Sequence, residues 1–125
     1  MQTLEGFKVI DLATVVMGPF AARILGDMGA DVVKVESLSG DSLRAIGPMR
    51  SPGMGPLFLN SNRNKRSIAI DLKSAAGKAV MRRLIEQSDV LIYNIRPQAL
   101  RRLGFDYERC RAINPGIVHV GAFGF

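Results

Sequence analysis

Apolar positions along this chain come in short unbroken runs that alternate with stretches of helical spacing. Val9-Ile10-Asp11-Leu12-Ala13 is such a run, interrupted by one acid, and it predicts a buried strand. Gly18-Pro19 breaks it. Phe20, Ile24, Leu25 and Met28 then recur at helical spacing, with Ala21 and Ala22 as good helix formers and Gly29 as the stop. Asp31-Val32-Val33-Lys34-Val35-Glu36 predicts a second strand. Strand, helix and strand within 36 residues imply a right-handed parallel crossover.

From Ser37 to Gly55 the pattern dissolves. Gly40, Gly47, Pro48, Pro52, Gly53 and Gly55, followed by Pro56, predict a long loop, which in a compact domain tends to be functional or mobile. Ser67 to Leu72 alternates, with Ile68, Ile70 and Leu72 on one face, and predicts a strand. Ser74 suits the N-cap of a helix running to about Gln87, with Val80, Met81, Leu84 and Ile85 as its apolar stripe. Asp89 to Tyr93 predicts another buried strand. Pro97 starts a short helix through Leu103 that Gly104 ends, Tyr107 to Ile113 predicts a second, and Ile117 to Val120 a final strand.

Nearly all-apolar strands alternating with helices define an α/β fold, a parallel sheet with flanking helices. No internal repeat or low-complexity segment interrupts it. The chain has 125 residues, 47% hydrophobic and 22% charged, about one domain's worth. No apolar run is long enough to span a membrane. The N-terminus carries no basic segment followed by an apolar one, so a cytoplasmic protein is expected. Cys110 is the single cysteine, which excludes an internal disulfide framework and a multi-cysteine zinc site, and no metal is expected. The close on Gly121-Ala122-Phe123-Gly124-Phe125, with no polar tail, suggests part of a longer protein.

Charge changes the picture. Residues 1–62 hold five basic and six acidic side chains, whereas residues 63–125 hold twelve and five, so the net +6 belongs to the second half. Such a field attracts phosphate, whether of nucleic acid, a nucleotide cofactor or an anionic membrane. A nucleic-acid module would interleave aromatics on a basic face, and two Tyr, six Phe and no Trp do not supply them. The first strand–helix turn, Val15-Val16-Met17-Gly18-Pro19, lacks the first two glycines of the dinucleotide fingerprint, which excludes that mode of NAD binding; a P-loop motif is absent as well.

Candidate chemistry lies after strands. Asn62-Arg63-Asn64-Lys65-Arg66-Ser67 packs three cations and two amides before a strand, and is either a solvated connection or an anion site. Arg96, Arg101 and Arg102 follow the strand ending at Tyr93. In open α/β sheets ligands bind beyond the carboxyl ends of strands, where Val15 to Met17, Lys73, and Asn94 with Arg96 converge if the strand order permits. His119, in an apolar strand, reads as a satisfied core histidine. Cys110, between Arg109 and Arg111, reads as packing, although adjacent cations would lower its thiol pKa. No Ser/His/Asp constellation is present, and the aspartates are scattered.

Taken together in order, these residues resemble family III CoA-transferases, the CaiB/BaiF relatives of formyl-CoA transferase, carnitine CoA-transferase and α-methylacyl-CoA racemase. The resemblance is carried by Leu4-x-Gly6-x-x-Val9-Ile10-Asp11-Leu12, Gly18-Pro19, Leu25 through Glu36, Gly40-Asp41, and Asn62 through Ser67 with Asp71-Leu72-Lys73. It continues through Asp89 to Ile92, Asn94-x-Arg96-Pro97, Leu103-Gly104, Asn114-Pro115 and Gly121-x-x-Gly124, covering essentially the whole chain.

The resemblance implies a Rossmann-like fold, with residues 1–125 as the N-terminal part of the large domain of an interlocked homodimer. It implies transfer of coenzyme A between an acyl-CoA and a small carboxylic acid, with neither nucleic acid nor membrane as partner. The acyl group would be carried as an anhydride on an aspartate beyond residue 125, so no catalytic residue is assigned within this chain. The racemase branch is the alternative on the same fold, with its His and Asp also beyond the end. The Gly/Pro loop from Ser37 to Pro56 favours a transferase, since it could close over a site. Matching position by position, the CoA-binding residues would be Val16 and Met17 after the first strand; Ile70, Leu72 and Lys73 around the adenine and phosphates; Asn94, Ile95 and Arg96; and Arg102 at a phosphate. An apolar Val16 departs from the formyl-CoA transferase pattern and counts against formate and oxalate as substrates. Ser37 stands where some members place a CoA-binding arginine, so that contact is expected to be lost.

Overall fold

A computed structural model describes residues 1–124; Phe125, the end of the expected strand exit, lies outside the described residues. Five strands form one parallel sheet in the order β3-β2-β1-β4-β5, the order of one Rossmann half plus its switch point. They are β1 (Lys8–Leu12), β2 (Asp31–Glu36), β3 (Lys65–Ala69), β4 (Val90–Tyr93) and β5 (Val118–Gly121). The helices are α1 (Met17–Asp27), α2 (Pro56–Asn62), α3 (Ala75–Glu86), α4 (Pro97–Leu103) and α5 (Tyr107–Ile113). None is long and apolar enough to cross a membrane.

Strand alternation divides the core. Ile10 and Leu12 of β1 join Val35, Leu91, Met81, Ile85, Leu100 and Phe105 on the face covered by α3, α4 and α5. Val9 and Ala13 point the other way, toward Ala22 of α1, with Ala30, Val32 and Ile92. Asp11, between them, therefore faces α1 too, and it is fully buried.

Local signals place most ends. Ser74 caps α3 by accepting from the Gly77 amide at 2.9 Å. Gly29 and Gly104 end α1 and α4 with φ of +104° and +92°, conformations that glycine adopts without a Cβ clash. Two expectations need correction, for β3 and α3, and one helix, α2, was not expected. β3 is Lys65–Ala69 rather than Ser67–Leu72, because its partner β2 runs out at Glu36, paired with Ala69. Ile70 and Leu72 therefore leave the sheet and turn over its end. Helix α2 carries no signal beyond Pro56 at its start, since Asn-Ser-Asn is a weak helix former. On α3 the buried positions are Gly77, Met81 and Ile85, while Val80 is exposed. The Ser37–Gly55 loop holds a short 3₁₀ turn, Ser42–Ala45, capped by Asp41 and pinned by buried Leu43.

Candidate functional site

At the carboxyl ends of β1 to β4 lies a cleft of about 600 Å³. β1 contributes Leu12 and Thr14, β2 the run from Lys34 to Asp41, β3 the segment Ile70 to Lys73, and β4 and α4 Ile95 and Leu103. The wall is apolar at Val35, Ile70, Leu72, Ile95 and Leu103, and Lys73 is exposed at its edge. A part-apolar cleft with few polar groups is the usual form of a cofactor-sized site.

Of the candidate residues, Ile70, Leu72, Lys73 and Ile95 line this cleft together. Val16 and Met17 lie at the exposed start of α1, outside the lining. Arg96 is exposed at the N-cap of α4, and Arg102 lines a separate shallow depression with Pro97, Gln98 and Arg101. Asn94 turns its amide back to β1: its Oδ1 accepts from the Thr14 amide at 3.0 Å and its Nδ2 donates to the Thr14 carbonyl at 2.9 Å. Ser37 does line the cleft, with its hydroxyl 2.9 Å from that of Ser39. The sequence reading overlooked Thr14, the segment Leu38 to Asp41, Asp71 and Leu103. Applying the post-strand rule to β2 as well would have found Leu38 to Asp41.

Behind the cleft, on the α1 face of the sheet, lies a buried row of alternating charge. Lys65 Nζ donates to Asp11 Oδ2 at 2.7 Å, to the Pro19 carbonyl at 2.7 Å and to Asn62 Oδ1 at 2.8 Å, which uses all three ammonium protons. Lys34 Nζ lies 3.8 Å from Asp11 and 3.1 Å from Asp41, and donates to the Ala13 carbonyl at 2.9 Å. Burial pushes the Lys65 ammonium below the ordinary lysine value, and the Asp11 carboxylate works against that shift.

Asn62 to Ser67 is thus a largely exposed connection whose cations are already paired, with only the Lys65 ammonium buried. Lys65 neutralises Asp11, Arg63 pairs with Asp27 at 2.8 Å, and Arg66 pairs with Asp31 at 2.6 Å. Ser67 donates to Glu36 at 2.7 Å. Internal carboxylates consume the cations that spacing alone made look available.

Glu36 also takes a two-pronged contact from Arg44, at 2.8 and 2.7 Å, and the Arg44 guanidinium lies 3.9 Å over the Phe58 ring. This clamp fastens the glycine-rich loop to β2 and α2. Arg44, helped by Ser67 and the Asp41 amide and opposed by burial, brings the Glu36 carboxyl from 4.5 down to about 2. A carboxyl depressed on folding stabilises the fold above its unfolded pKa, and that contribution is lost as pH falls through the folded value. Wild type and Glu36→Gln should therefore differ in urea midpoint most above pH 4.5 and converge as pH nears about 2. A constant difference across that range would remove the clamp from the stability argument.

His119 sits half-buried with Nε2 3.1 Å from the Phe105 carbonyl and its ring 4.6 Å from that of Tyr93, a satisfied packing role. Cys110 is buried and donates to the Phe105 carbonyl at 3.2 Å. Its thiol is pushed up to about 11, chiefly by burial, and not lowered by Arg109 and Arg111.

Residues 4–125 match the family model of CoA-transferase family III. The chain is 42% identical over 129 residues to the succinate–glutarate CoA-transferase of Agrobacterium fabrum, covering 98% of this chain and 32% of that protein. It is 42% identical over 126 residues to the formyl-CoA:oxalate CoA-transferase of Streptomyces avermitilis, covering 99% of this chain and 30% of that protein. A CAIB/BAIF family protein from Brucella suis, known from its crystal structure, superposes with a TM-score of 0.94 at 40% identity, over 99% of this chain and 34% of that one. The chain spans about a third of the length of the curated relatives it matches.

Proposed function

Because the chain belongs to CoA-transferase family III, we propose that it forms the CoA-binding part of an enzyme that moves CoA between an acyl-CoA and a carboxylic acid. The observation that carries this reading is the convergence of four post-strand segments on one part-apolar cleft with Lys73 at its edge. Ile70, Leu72 and Ile95 suit the adenosine end of CoA, and Lys73 suits a phosphate. Val16, Met17, Asn94, Arg96 and Arg102 would flank the rest of the ligand's path.

The nucleophile would be an aspartate beyond residue 125. Its carboxylate attacks the thioester carbonyl, CoA leaves as thiolate, and an acyl anhydride forms on the enzyme. The thiolate then attacks the enzyme's own carbonyl, releasing the first acid and leaving an enzyme–CoA thioester for the acceptor acid. Residues 1–125 would bind and orient CoA in the N-terminal part of a larger, interlocked homodimer, and would be inactive alone.

The test uses the full-length protein with a panel of acyl-CoAs and acids, with exchange followed by chromatography. New acyl-CoA formed only when an acceptor acid is present supports the reading. Epimerisation of an α-methylacyl-CoA without an acceptor would assign the racemase chemistry instead. Lys73→Ala should weaken CoA binding about fivefold to tenfold, an effect that shrinks with added salt because the cation is exposed. Unchanged affinity would remove Lys73 from the site.

A further inference from the structure

The two faces of the sheet are unequally covered. On one, α3, α4 and α5 lie over the cluster around Ile10, Leu91 and Leu100. On the other, α1 packs on β1 and β2, and β5 stays bare. The register sets Val118 opposite Val90 and Val120 opposite Ile92, which belong to the α1 face, yet Val118 is 55% and Val120 38% exposed.

α1 supplies a second apolar wall. Its Arg23 and Asp27 turn toward α2, the first donating to the Asn60 carbonyl at 3.4 Å and the second pairing with Arg63 at 2.8 Å. Met17, Ile24 and Met28 lie on the opposite flank, which overlooks β4 and β5, and each is at least 40% exposed. A Cβ on Gly18 would lie 3.8 Å from that of Ala122, so α1 starts where β5 leaves the sheet. The two walls meet in one corner, and none of these five positions is charged. A parallel sheet is normally covered on both faces, and a contiguous exposed apolar surface marks a contact.

The connections limit what fills the corner. Steps from β1 to β2 and from β2 to β3 run toward one edge and put α1 and α2 on one face. Steps from β3 to β4 and from β4 to β5 run the other way and put α3, α4 and α5 on the opposite face, as right-handed crossovers require. A strand added beyond β5 would bring its crossover helix to that opposite face too. The corner is therefore filled from a part of the protein remote in sequence, or from another molecule.

We propose that the corner docks an apolar-faced helix of the same polypeptide, from outside residues 1–125. The chain spans about a third of the length of its curated relatives, which leaves ample chain to supply it. A second copy fits less well. A two-fold contact needs a self-complementary patch, and α1 stands one helix diameter, about 10 Å, above the bare strands. That step accepts a helix rather than another step. The absence of charge at its walls fits an apolar stripe and not a charged partner.

The first test is peroxide oxidation of the full-length protein, read by peptide mass spectrometry, and it needs no variant. Met17 and Met28 should oxidise at least about tenfold more slowly in the native protein than in the same protein unfolded by guanidinium. Smaller protection would overturn the proposal, since it would leave the corner open. The second test identifies the occupant, with the photocrosslinker benzoylphenylalanine replacing Ile24 or Val118. Capture of a peptide from outside residues 1–125, in a product of single-chain mass on a denaturing gel, supports the proposal. A product of doubled mass would assign the corner to a second copy and overturn it. Crosslinks confined to residues 1–125, or none from either position, would overturn it as well. Neither readout needs turnover, so failure of the CoA-transferase reading would leave both intact.

Discussion

Asp11→Asn in the full-length protein should cost about 3–5 kcal/mol in urea denaturation, the scale for removing one partner from a buried ionic cluster. Asp11 is wholly buried between two ammonium groups, Lys65 at 2.7 Å and Lys34 at 3.8 Å. Without its carboxylate, two cations share the interior with Asp41 as the remaining anion of the row. Lys65, whose charge burial already disfavours, would then lose a proton well below the usual lysine range. The contrast is Arg66→Ala, which removes an equally short pair with Asp31 whose side chains are 69% and 46% exposed. That change should cost less than about 1 kcal/mol, as exposed pairs do. If the two variants unfold at the same urea concentration, the buried row is not a principal support of the α1 face.

Gly77→Ala should damage the cleft from outside. Gly77 lies in the first turn of α3, where the helix presses against the segment leaving β3. A Cβ there would overlap the Asp71 carbonyl oxygen, and would lie 2.7 Å from the Asp71 carbonyl carbon and 2.9 Å from Ile70 Cγ2. Backbone cannot yield as a flexible side chain can, so helix and segment must separate. Overpacking of this kind costs about 1–3 kcal/mol. Because Ile70 and Asp71 line the cleft, the shift is transmitted to the proposed adenosine site. Titration calorimetry of the full-length variant should show CoA affinity reduced about tenfold or more. Gly116→Ala, whose Cβ would meet only Asn114 Oδ1 at 3.6 Å, should leave it unchanged. CoA binding as tight in Gly77→Ala as in wild type would place the ligand elsewhere.

Both predictions turn on residues whose sequence signal was plain and whose meaning was not. Asp11 is legible as one acid in an apolar strand, and Lys34 as one base in another. Period-2 alternation places each on a face, but which face is charged depends on what packs there. Gly77 is an unremarkable glycine in a helix until β3 is seen to end at Ala69 and bring Asp71 beneath it. The cations of Asn62 to Ser67 misled for the same reason. Their partners Asp27, Asp31 and Asp11 lie 35 or more positions away in the chain.

What the sequence determined by itself is local and ordered: the alternation of strand and helix, the caps at Ser74, Gly29 and Gly104, and the motif series that places the chain in its family. These follow from short-range sterics and hydrogen bonding, which neighbouring residues dictate. The tertiary structure alone decided which charges cancel and which face a ligand. It ended β3 where β2 ran out, and it tied the β1 turn to Asn94 and Asp41 from the segments that follow β4 and β2. Such pairings depend on strand order, and a parallel sheet brings together residues that no local pattern connects.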